Sequence, residues 1–258
     1  MSGITPNRRT LGQMVAGAGT LFLTGCDQLS HSMGVQHFIG GAEGITTRIQ
    51  RALLAPGQLA PEFKEADISP KFKANGTLSP DDDAYRAHVA AGFKDWKLQI
   101  GGLVEHPMSL SLPDLHARTA RTQITRHDCV EGWSCIGKWT GPQLGPILKE
   151  AKLKPNARYI VFRCADALEA SLDGSGQYYE SIGLADAFHP QTILAYSLND
   201  KPLEVSHGAP LRLRVERQLG YKQAKYLMKI EAVESYKDIA GGRGGYWPDR
   251  GYEWYAGI

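Results

Sequence analysis

The sequence of 258 residues has few cysteines, and their spacing matches none of the common clustered motifs. Cys26, Cys129, Cys135 and Cys164 form no CxxC pair, no CxxCH haem site and no zinc-finger pattern. No apolar run reaches the roughly 18 residues of a membrane-spanning helix. The net charge of +2 is too small to indicate a nucleic-acid surface, so no nucleic-acid partner is expected. These absences argue against a haem protein, a zinc finger and an integral membrane protein.

The chain is 42% hydrophobic and 22% charged, an ordinary globular composition. Its length permits a sizeable core in one large domain or two small ones. Periodicity predicts helices over residues 81–91, 142–153 and 183–187, with a further helix opened by the S-x-x-D pattern at Ser111. Strands are predicted over residues 96–100, 122–125, 158–164, 192–196, 211–215 and 226–232.

The first residues resemble an export signal. Residues 7–12 (NRRTLG) precede a small and apolar run, which is typical of a twin-arginine signal peptide, although an amphipathic first helix is the alternative. Residues 23–26 (LTGC) look like a lipobox, so Cys26 is predicted to be lipidated. We therefore predict a signal peptide over 1–25, a tether over 26–70 and a folded domain over 71–258. Asp27 favours periplasmic anchoring at the inner membrane.

Residues 126–142 (RHDCVEGWSCIGKWTGP) hold the densest group of reactive side chains in the sequence. Cys129 is predicted to lie just after a strand, beside Arg126 and His127, cations that would lower its pKa. Three hypotheses remain open for this thiol. It is a packed structural cysteine, a nucleophile with His127 as its base, or the one soft protein ligand of a redox metal whose other ligands come from an organic cofactor.

Residues 211–215 (LRLRV) alternate apolar and basic side chains, and lysines follow at Lys222 and Lys225. A solvated face explains Arg214, Arg217 and Lys229. Arginine on a strand opposite lysines of a following loop is also the arrangement that a buried phosphate requires.

Four motifs together resemble the molybdopterin-binding domain of the sulfite oxidase family, and in particular its branch of periplasmic protein-methionine-sulfoxide reductase catalytic subunits. They are residues 129–134 (CVEGWS), 189–192 (HPQT), 207–212 (HGAPLR) and 220–225 (GYKQAK). The resemblance extends from about residue 72 to the C-terminus. It implies an α+β fold with a mixed sheet and a molybdenum–molybdopterin cofactor.

The resemblance also implies the cofactor site. Cys129 corresponds to the thiolate that binds molybdenum, and Asn75 to an asparagine that contacts the cofactor. His207 replaces an asparagine of the reductase branch, and Cys164 lies within one residue of its threonine. The pterin phosphate is expected at Arg212 and at the run Lys222, Gln223, Ala224 and Lys225.

The candidate catalytic residues are Glu131, Arg126 and Tyr178. In an extended segment Glu131 projects to the same side as Cys129 and would relay protons, the alternative being a salt bridge to Arg126 or Lys138. Tyr178 would line the substrate mouth or pack in the core. Cys135 is expected to be a packed thiol rather than a second ligand.

The implied function is an exported molybdenum oxidoreductase that transfers an oxygen atom, with two electrons, to or from a small or protein-borne substrate such as a sulfoxide. Because the chain has no haem motif, electrons are expected to pass to or from a separate cytochrome. A monomer is expected, since the chain is short for an added immunoglobulin-like dimerisation domain. The alternatives are a cofactor-binding or assembly lipoprotein without turnover, and a hydrolase that uses Cys129 and His127.

Overall fold

The computed structural model describes residues 57–171, 174 and 176–258. The predicted signal peptide, the predicted lipidation at Cys26 and the predicted tether up to residue 56 lie outside the described residues and stay predictions. Within the described ranges, no helix has the length and apolarity needed to cross a membrane.

The described residues form short helices and three β-sheets. The helices are α1 (Asp83–Ala90), α2 (Leu112–His116), α3 (Leu144–Ala151) and α4 (Leu184–Ala187). The largest sheet has the order β2 (Met108–Ser111), β1 (Lys97–Gly102), β11 (Leu227–Val233), β5 (Tyr159–Ala167) and β6 (Gln177–Gly183). The second has the order β3 (Ala120–Asp128), β4 (Ser134–Pro142), β8 (Ser197–Leu198) and β9 (Lys201–Pro202). The third pairs β10 (Arg212–Arg214) with β7 (Ile193–Ala195).

Strand directions make the largest sheet mixed. β1 runs parallel to β11, with Ile100 beside Ile230, whereas the other neighbours in this sheet are antiparallel. The mixed sheet and the separate short helices confirm the predicted α+β class.

Helix α3 shows how the local sequence positions the main core. Leu144, Ile147, Leu148 and Ala151 recur at helical spacing, and all four are buried. The helix ends at Lys152, whose backbone is left-handed. Its apolar face belongs to the main core, which also contains residues of β1, β5 and β11. A smaller core around Phe72 and Trp139 lies with the second sheet.

The predicted tether over residues 26–70 is corrected for its last part, because residues 57–70 contact the domain. The Phe63 amide donates to the Ile124 carbonyl at 2.8 Å, and the Ser69 amide donates to the Ile136 carbonyl at 3.0 Å. Glu62 forms an isolated antiparallel bridge with Thr125. Residues 57–70 therefore pack on β3 and β4 as part of the domain. The sequence pattern missed this because a single edge pairing leaves no periodic apolar signal.

Arg214 is a second correction, because its side chain is fully buried rather than solvated. Its guanidinium makes two hydrogen bonds to Glu216, at 2.9 and 2.6 Å, and its Nη1 lies 3.0 Å from His127 Nδ1. Gln123 Nε2 donates to Glu216 Oε1 at 2.8 Å. A two-residue alternation cannot show that both faces of β10 are covered. By contrast Lys229 has a half-exposed side chain and pairs with Glu231 at 2.7 Å.

This buried pair yields a stability prediction. Glu216→Gln leaves the Arg214 charge buried without a counter-ion, so we expect the free energy of unfolding to fall by about 3 to 5 kcal/mol. Glu105→Gln is the control, because Glu105 pairs with Lys152 on the surface, where solvent screens the pair and the loss is expected to be far smaller. Urea unfolding at neutral pH measures both. Similar losses in the two variants would contradict the structural role given to the buried pair.

Candidate active site

Cys129 lies in a tight loop between β3 and β4, as the sequence predicts. The Cys129 amide donates to the Trp133 carbonyl at 3.0 Å, and the Gly132 amide donates to the Cys129 carbonyl at 3.0 Å. Gly132 has a φ of +83°, a conformation that favours glycine. The long, paired strands β3 and β4 therefore hold the thiol at the end of a hairpin.

A cavity opens beside this loop, and segments distant in the sequence line it. Its polar lining includes Asn75, Thr77, Asp166, Gln223 and Lys225. Cys129, Val130 and Glu131 contribute the hairpin side, and Tyr178, Tyr221, Trp247 and Tyr252 contribute aromatic rings. Six of the residues predicted from the sequence thus meet at one cavity: Cys129, Glu131, Tyr178, Asn75, Gln223 and Lys225.

Lys225 is a buried cation whose hydrogen-bond partners are neutral. Its Nζ donates to the carbonyls of Asn75 at 2.7 Å, of Ser206 at 3.0 Å and of Thr77. Burial, followed by the charge of Arg212, lowers the pKa of Lys225 to about 7. No ion pair of Lys225 occurs among the described residues. The Asp166 carboxylate interacts with Lys225 without forming an ion pair, so a bound anion would stabilise the charged form of Lys225 further.

Arg212 lies close by and has the same character. Its guanidinium donates to the carbonyls of His207 at 3.0 Å and Gln223 at 3.2 Å, while its Nε has no partner in the described part of the chain. Burial, followed by the charge of Arg214, lowers the pKa of Arg212 to about 9. Gly208 permits this crowding, since a Cβ there would lie 2.9 Å from Lys225 Cβ and 3.3 Å from Arg212 Cβ.

Asp166, which sequence reasoning missed, supplies an unused acceptor. It is 3% exposed, and its Oδ1 has no hydrogen-bond partner among the described residues. Burial raises its pKa to about 6, although the nearby Thr77 hydroxyl and Lys225 moderate the rise. Its position at the end of a predicted central strand was the available signal.

These features test whether molybdopterin fits the residues present. The uncompensated Arg212 and Lys225 suit the cofactor's phosphate, because charge-assisted bonds to an anion would offset their burial. Asp166 suits an N–H donor of the pterin, and Cys129 is a soft ligand suited to molybdenum. The donor set therefore fits the cofactor.

Other predicted site residues lie elsewhere. The predicted catalytic role of Arg126 is corrected, because its side chain is 55% exposed, pairs with Asp128 at 2.9 Å and does not line the cavity. The predicted phosphate contact of Lys222 is also corrected, because Lys222 forms an ion pair with Glu180 in which both side chains are fully buried. Burial raises the pKa of Glu180 to about 7 and lowers that of Lys222.

Three further candidates, Cys164, His207 and Ala224, do not line the cavity. Cys164 packs in the main core, where burial raises the pKa of its thiol well above the ordinary value. This position corrects the expectation that the thiol contacts the cofactor. His207 directs Nε2 to the Phe72 carbonyl at 3.1 Å. The Ala224 carbonyl accepts the Leu213 amide at 2.8 Å, which fixes the turn before Lys225.

The expectation of a lowered Cys129 pKa is wrong for the metal-free protein. Burial and the charge of Glu131 raise the pKa of the thiol. His127 is fully buried beside Arg214, and burial lowers its pKa well below 6.5. Because His127 does not line the cavity, it does not form a nucleophile–base pair with Cys129 there. The hydrolase hypothesis loses its base.

Glu131 lies at the cavity rim. Its Oε2 accepts from Trp133 Nε1 at 2.8 Å and lies 3.9 Å from Lys73 Nζ, so neither Arg126 nor Lys138 is its partner. Its side chain is 65% exposed. Cys135 is a buried thiol within 3.5 Å of the Lys73 amide, which agrees with the predicted packed cysteine.

Comparison with known proteins identifies the family of the chain. The family model described as "Oxidoreductase molybdopterin binding domain" matches residues 86–239. The chain belongs to this molybdopterin-binding oxidoreductase family. It is thus an oxidoreductase with a molybdopterin-binding fold, as the resemblance to the sulfite oxidase family predicted.

Two curated relatives carry reductase names. The chain is 36% identical over 253 residues, 98% of its length and 88% of the relative, to a "putative protein-methionine-sulfoxide reductase subunit YedZ1" of Azospira oryzae. It is 36% identical over 165 residues to the "protein-methionine-sulfoxide reductase catalytic subunit MsrP" of Xanthomonas axonopodis, covering 61% of this chain and 51% of that protein.

Among solved structures, the chain matches part of the sulfane dehydrogenase SoxCD of Paracoccus pantotrophus. It superimposes with a TM-score of 0.47 and 23% identity, over 57% of this chain and 41% of that chain.

The raised pKa of Asp166 gives a pH prediction for the cofactor-free protein. An ordinary aspartic acid has a pKa of 3.8, whereas the folded protein holds the Asp166 proton up to about pH 6. The protonated carboxyl therefore stabilises the folded state at low pH, and this stability is lost as the pH rises through 6. Asp166→Asn removes that penalty and should stabilise the domain by about 2 to 3 kcal/mol at roughly pH 8, and hardly at all near pH 4.

Thermal unfolding at the two pH values measures the effect. Asp238→Asn, at an exposed position, is the control and should change neither midpoint. An Asp166→Asn difference of equal size at both pH values would show that the carboxylate charge is not its cause.

Proposed function

We propose that this protein is an exported molybdopterin enzyme that reduces sulfoxides to sulfides. The observation that carries the proposal is that Cys129 and the buried cation Lys225 line one open cavity, with a second buried cation, Arg212, close to Lys225. The names of the relatives support a sulfoxide as the substrate class. The chain spans about half the length of the MsrP relatives, so their activity comes to it only as a proposal.

Each residue at the cavity has a proposed role in holding the cofactor. The Cys129 thiolate would bind molybdenum, while Lys225 and Arg212 would bind the phosphate and Asn75, Gln223 and Asp166 would orient the pterin. When bound, the cofactor supplies two-electron oxygen-atom transfer. His207 and Ala224 would act through the backbone that they position.

The hairpin that carries Cys129 also supplies the proposed proton carrier. Reduction of a sulfoxide consumes two electrons and two protons and releases a sulfide and water. Glu131 is open to solvent and lines the same cavity as Cys129, so it is the proposed carrier of these protons. The Tyr178 hydroxyl donates a hydrogen bond to the Tyr221 carbonyl, and the residue is 9% exposed. Both observations favour a role in the cavity wall over proton transfer.

Export and electron supply belong to the same proposal. The twin-arginine motif and the lipobox cysteine Cys26 favour a periplasmic lipoprotein held at the inner membrane. The proposed enzyme is a monomer whose one-electron partner is a separate cytochrome, because the sequence contains no haem-attachment motif. Fractionation of cells that express the wild type and Cys26→Ser tests the anchor. Equal release of both into the soluble periplasmic fraction would reject it.

The metal ligand gives the main test. In protein purified from a molybdenum-replete host, Cys129→Ala should lose molybdenum and the reduction of methyl sulfoxides by a reduced viologen dye. Cys135→Ala is the matched control, because that thiol packs near Lys71 and Lys73 and its loss should leave the metal in place. Unchanged molybdenum in Cys129→Ala would refute the ligand role. A wild type that holds molybdenum but reduces no sulfoxide would refute the substrate class.

Glu131→Gln tests the proton carrier. We expect this variant to keep its molybdenum and to lose about tenfold or more in kcat, because the amide cannot donate the proton. Lys73→Met removes the nearby cation and should change kcat much less. Wild-type rates for Glu131→Gln across the pH range would reject the proton-carrier role.

A further inference from the structure

The cavity has a buried floor and an open rim. On the floor, Asp166 and Gln223 are each 3% exposed and Lys225 is 7% exposed. On the rim, Val130 is 45% exposed and Tyr252 is 39% exposed. Because the polar groups suited to the cofactor lie on the floor, the rim is the part that remains for a substrate.

One side of the rim consists of Trp247 and Tyr252, which we call the aromatic wall. Their ring centroids are 5.0 Å apart, and the Tyr252 amide donates to the Trp247 carbonyl at 3.1 Å. Tyr252 also packs edge-on against Tyr221, with centroids 5.4 Å apart. The two rings are therefore held by each other and by the floor of the cavity.

The aromatic wall comes from the C-terminal segment, beyond the family match that ends at residue 239. Isolated bridges join Gly245 to Glu180 and Gly257 to Gln218. Asp249 accepts hydrogen bonds from the Tyr179 hydroxyl at 2.6 Å and from the Gly241 amide at 3.0 Å. The segment is thus fixed on both sides of the wall, and it adds an apolar surface to a cavity whose other lining residues, apart from residues 75–77, belong to the matched domain.

The chemistry of the rim indicates what it would hold. Val130 and Leu168 join the aromatic wall as apolar lining, whereas Glu131 is the charged group of the hairpin side. A sulfoxide has a polar S=O group and two hydrocarbon groups, so its oxygen would face the polar side and a hydrocarbon group would contact the rings. Aromatic rings interact favourably with other rings and with sulfur groups at about 5 Å.

We propose that Trp247 and Tyr252 set substrate specificity, selecting sulfoxides that carry an aryl or bulky apolar group over dimethyl sulfoxide. This proposal rests on the proposed function, since it names the class of sulfoxide that the same site takes.

The test compares two substrates in the holoenzyme, with a reduced viologen dye as electron donor. For Trp247→Ala, kcat/KM for methyl phenyl sulfoxide should fall about five- to tenfold, mainly through KM, which is the factor expected for one aromatic contact. For dimethyl sulfoxide the change should stay below about twofold. Trp247→Phe, which keeps a ring, should retain most of the preference, and the molybdenum content of all variants should equal that of the wild type.

Phe188→Ala is the matched control, because Phe188 is a 38% exposed aromatic residue that does not line the cavity. It should leave both rates unchanged. If Trp247→Ala does not fold, Tyr252→Ala provides the same comparison with a more exposed ring.

The outcomes separate the two proposals. Equal losses for both substrates, no loss for either, or loss of molybdenum from Trp247→Ala would overturn the specificity role while leaving sulfoxide reduction intact. A wild type that contains molybdenum but turns over neither substrate would instead overturn the proposed function, and the specificity proposal with it.

Discussion

Two buried cations with neutral partners are the constraint on which the site depends. Arg212 and Lys225 donate to backbone carbonyls, and neither forms an ion pair within the described ranges. Burial of an unpaired cation costs several kcal/mol, so a fold keeps such groups only where something offsets the cost. The phosphate of molybdopterin would do so. Gly208 permits the close approach of the two side chains.

Neighbouring basic residues of the same protein have buried carboxylate partners. Arg214 is bound by Glu216, and Lys222 by Glu180, with all four side chains fully buried. Between residues 212 and 225, three basic residues thus have carboxylate partners, because Arg217 also pairs with Asp186 at 3.3 Å, whereas Arg212 and Lys225 form no ion pair within the described ranges. The ion-paired residues stabilise the domain, whereas Arg212 and Lys225 are the two that a bound anion would stabilise. This division, rather than the number of basic residues, locates the anion site.

The sequence predicted local features well, because local chemistry determines them. The Ser111 cap of α2, the apolar face of α3 and the position of Cys129 after a strand all follow from short-range patterns. Long-range partners were not predictable in this way. Nothing near Lys222 or Lys225 in the sequence tells which of them meets Glu180. The burial of Arg214 and the approach of Asp166 to the cavity likewise depend on strands far apart in the chain.

The fold and the family fix the cofactor class, and the cavity assigns its contacts. We propose that Cys129, Arg212 and Lys225 together hold molybdopterin. The most direct measurement is the molybdenum and pterin content of the protein purified from a molybdenum-replete host. We expect molybdenum and pterin in equal amounts in the wild type, and the loss of both when Arg212 and Lys225 are replaced together by methionine. Absence of both from the wild-type protein, or full retention in the double variant, would contradict it.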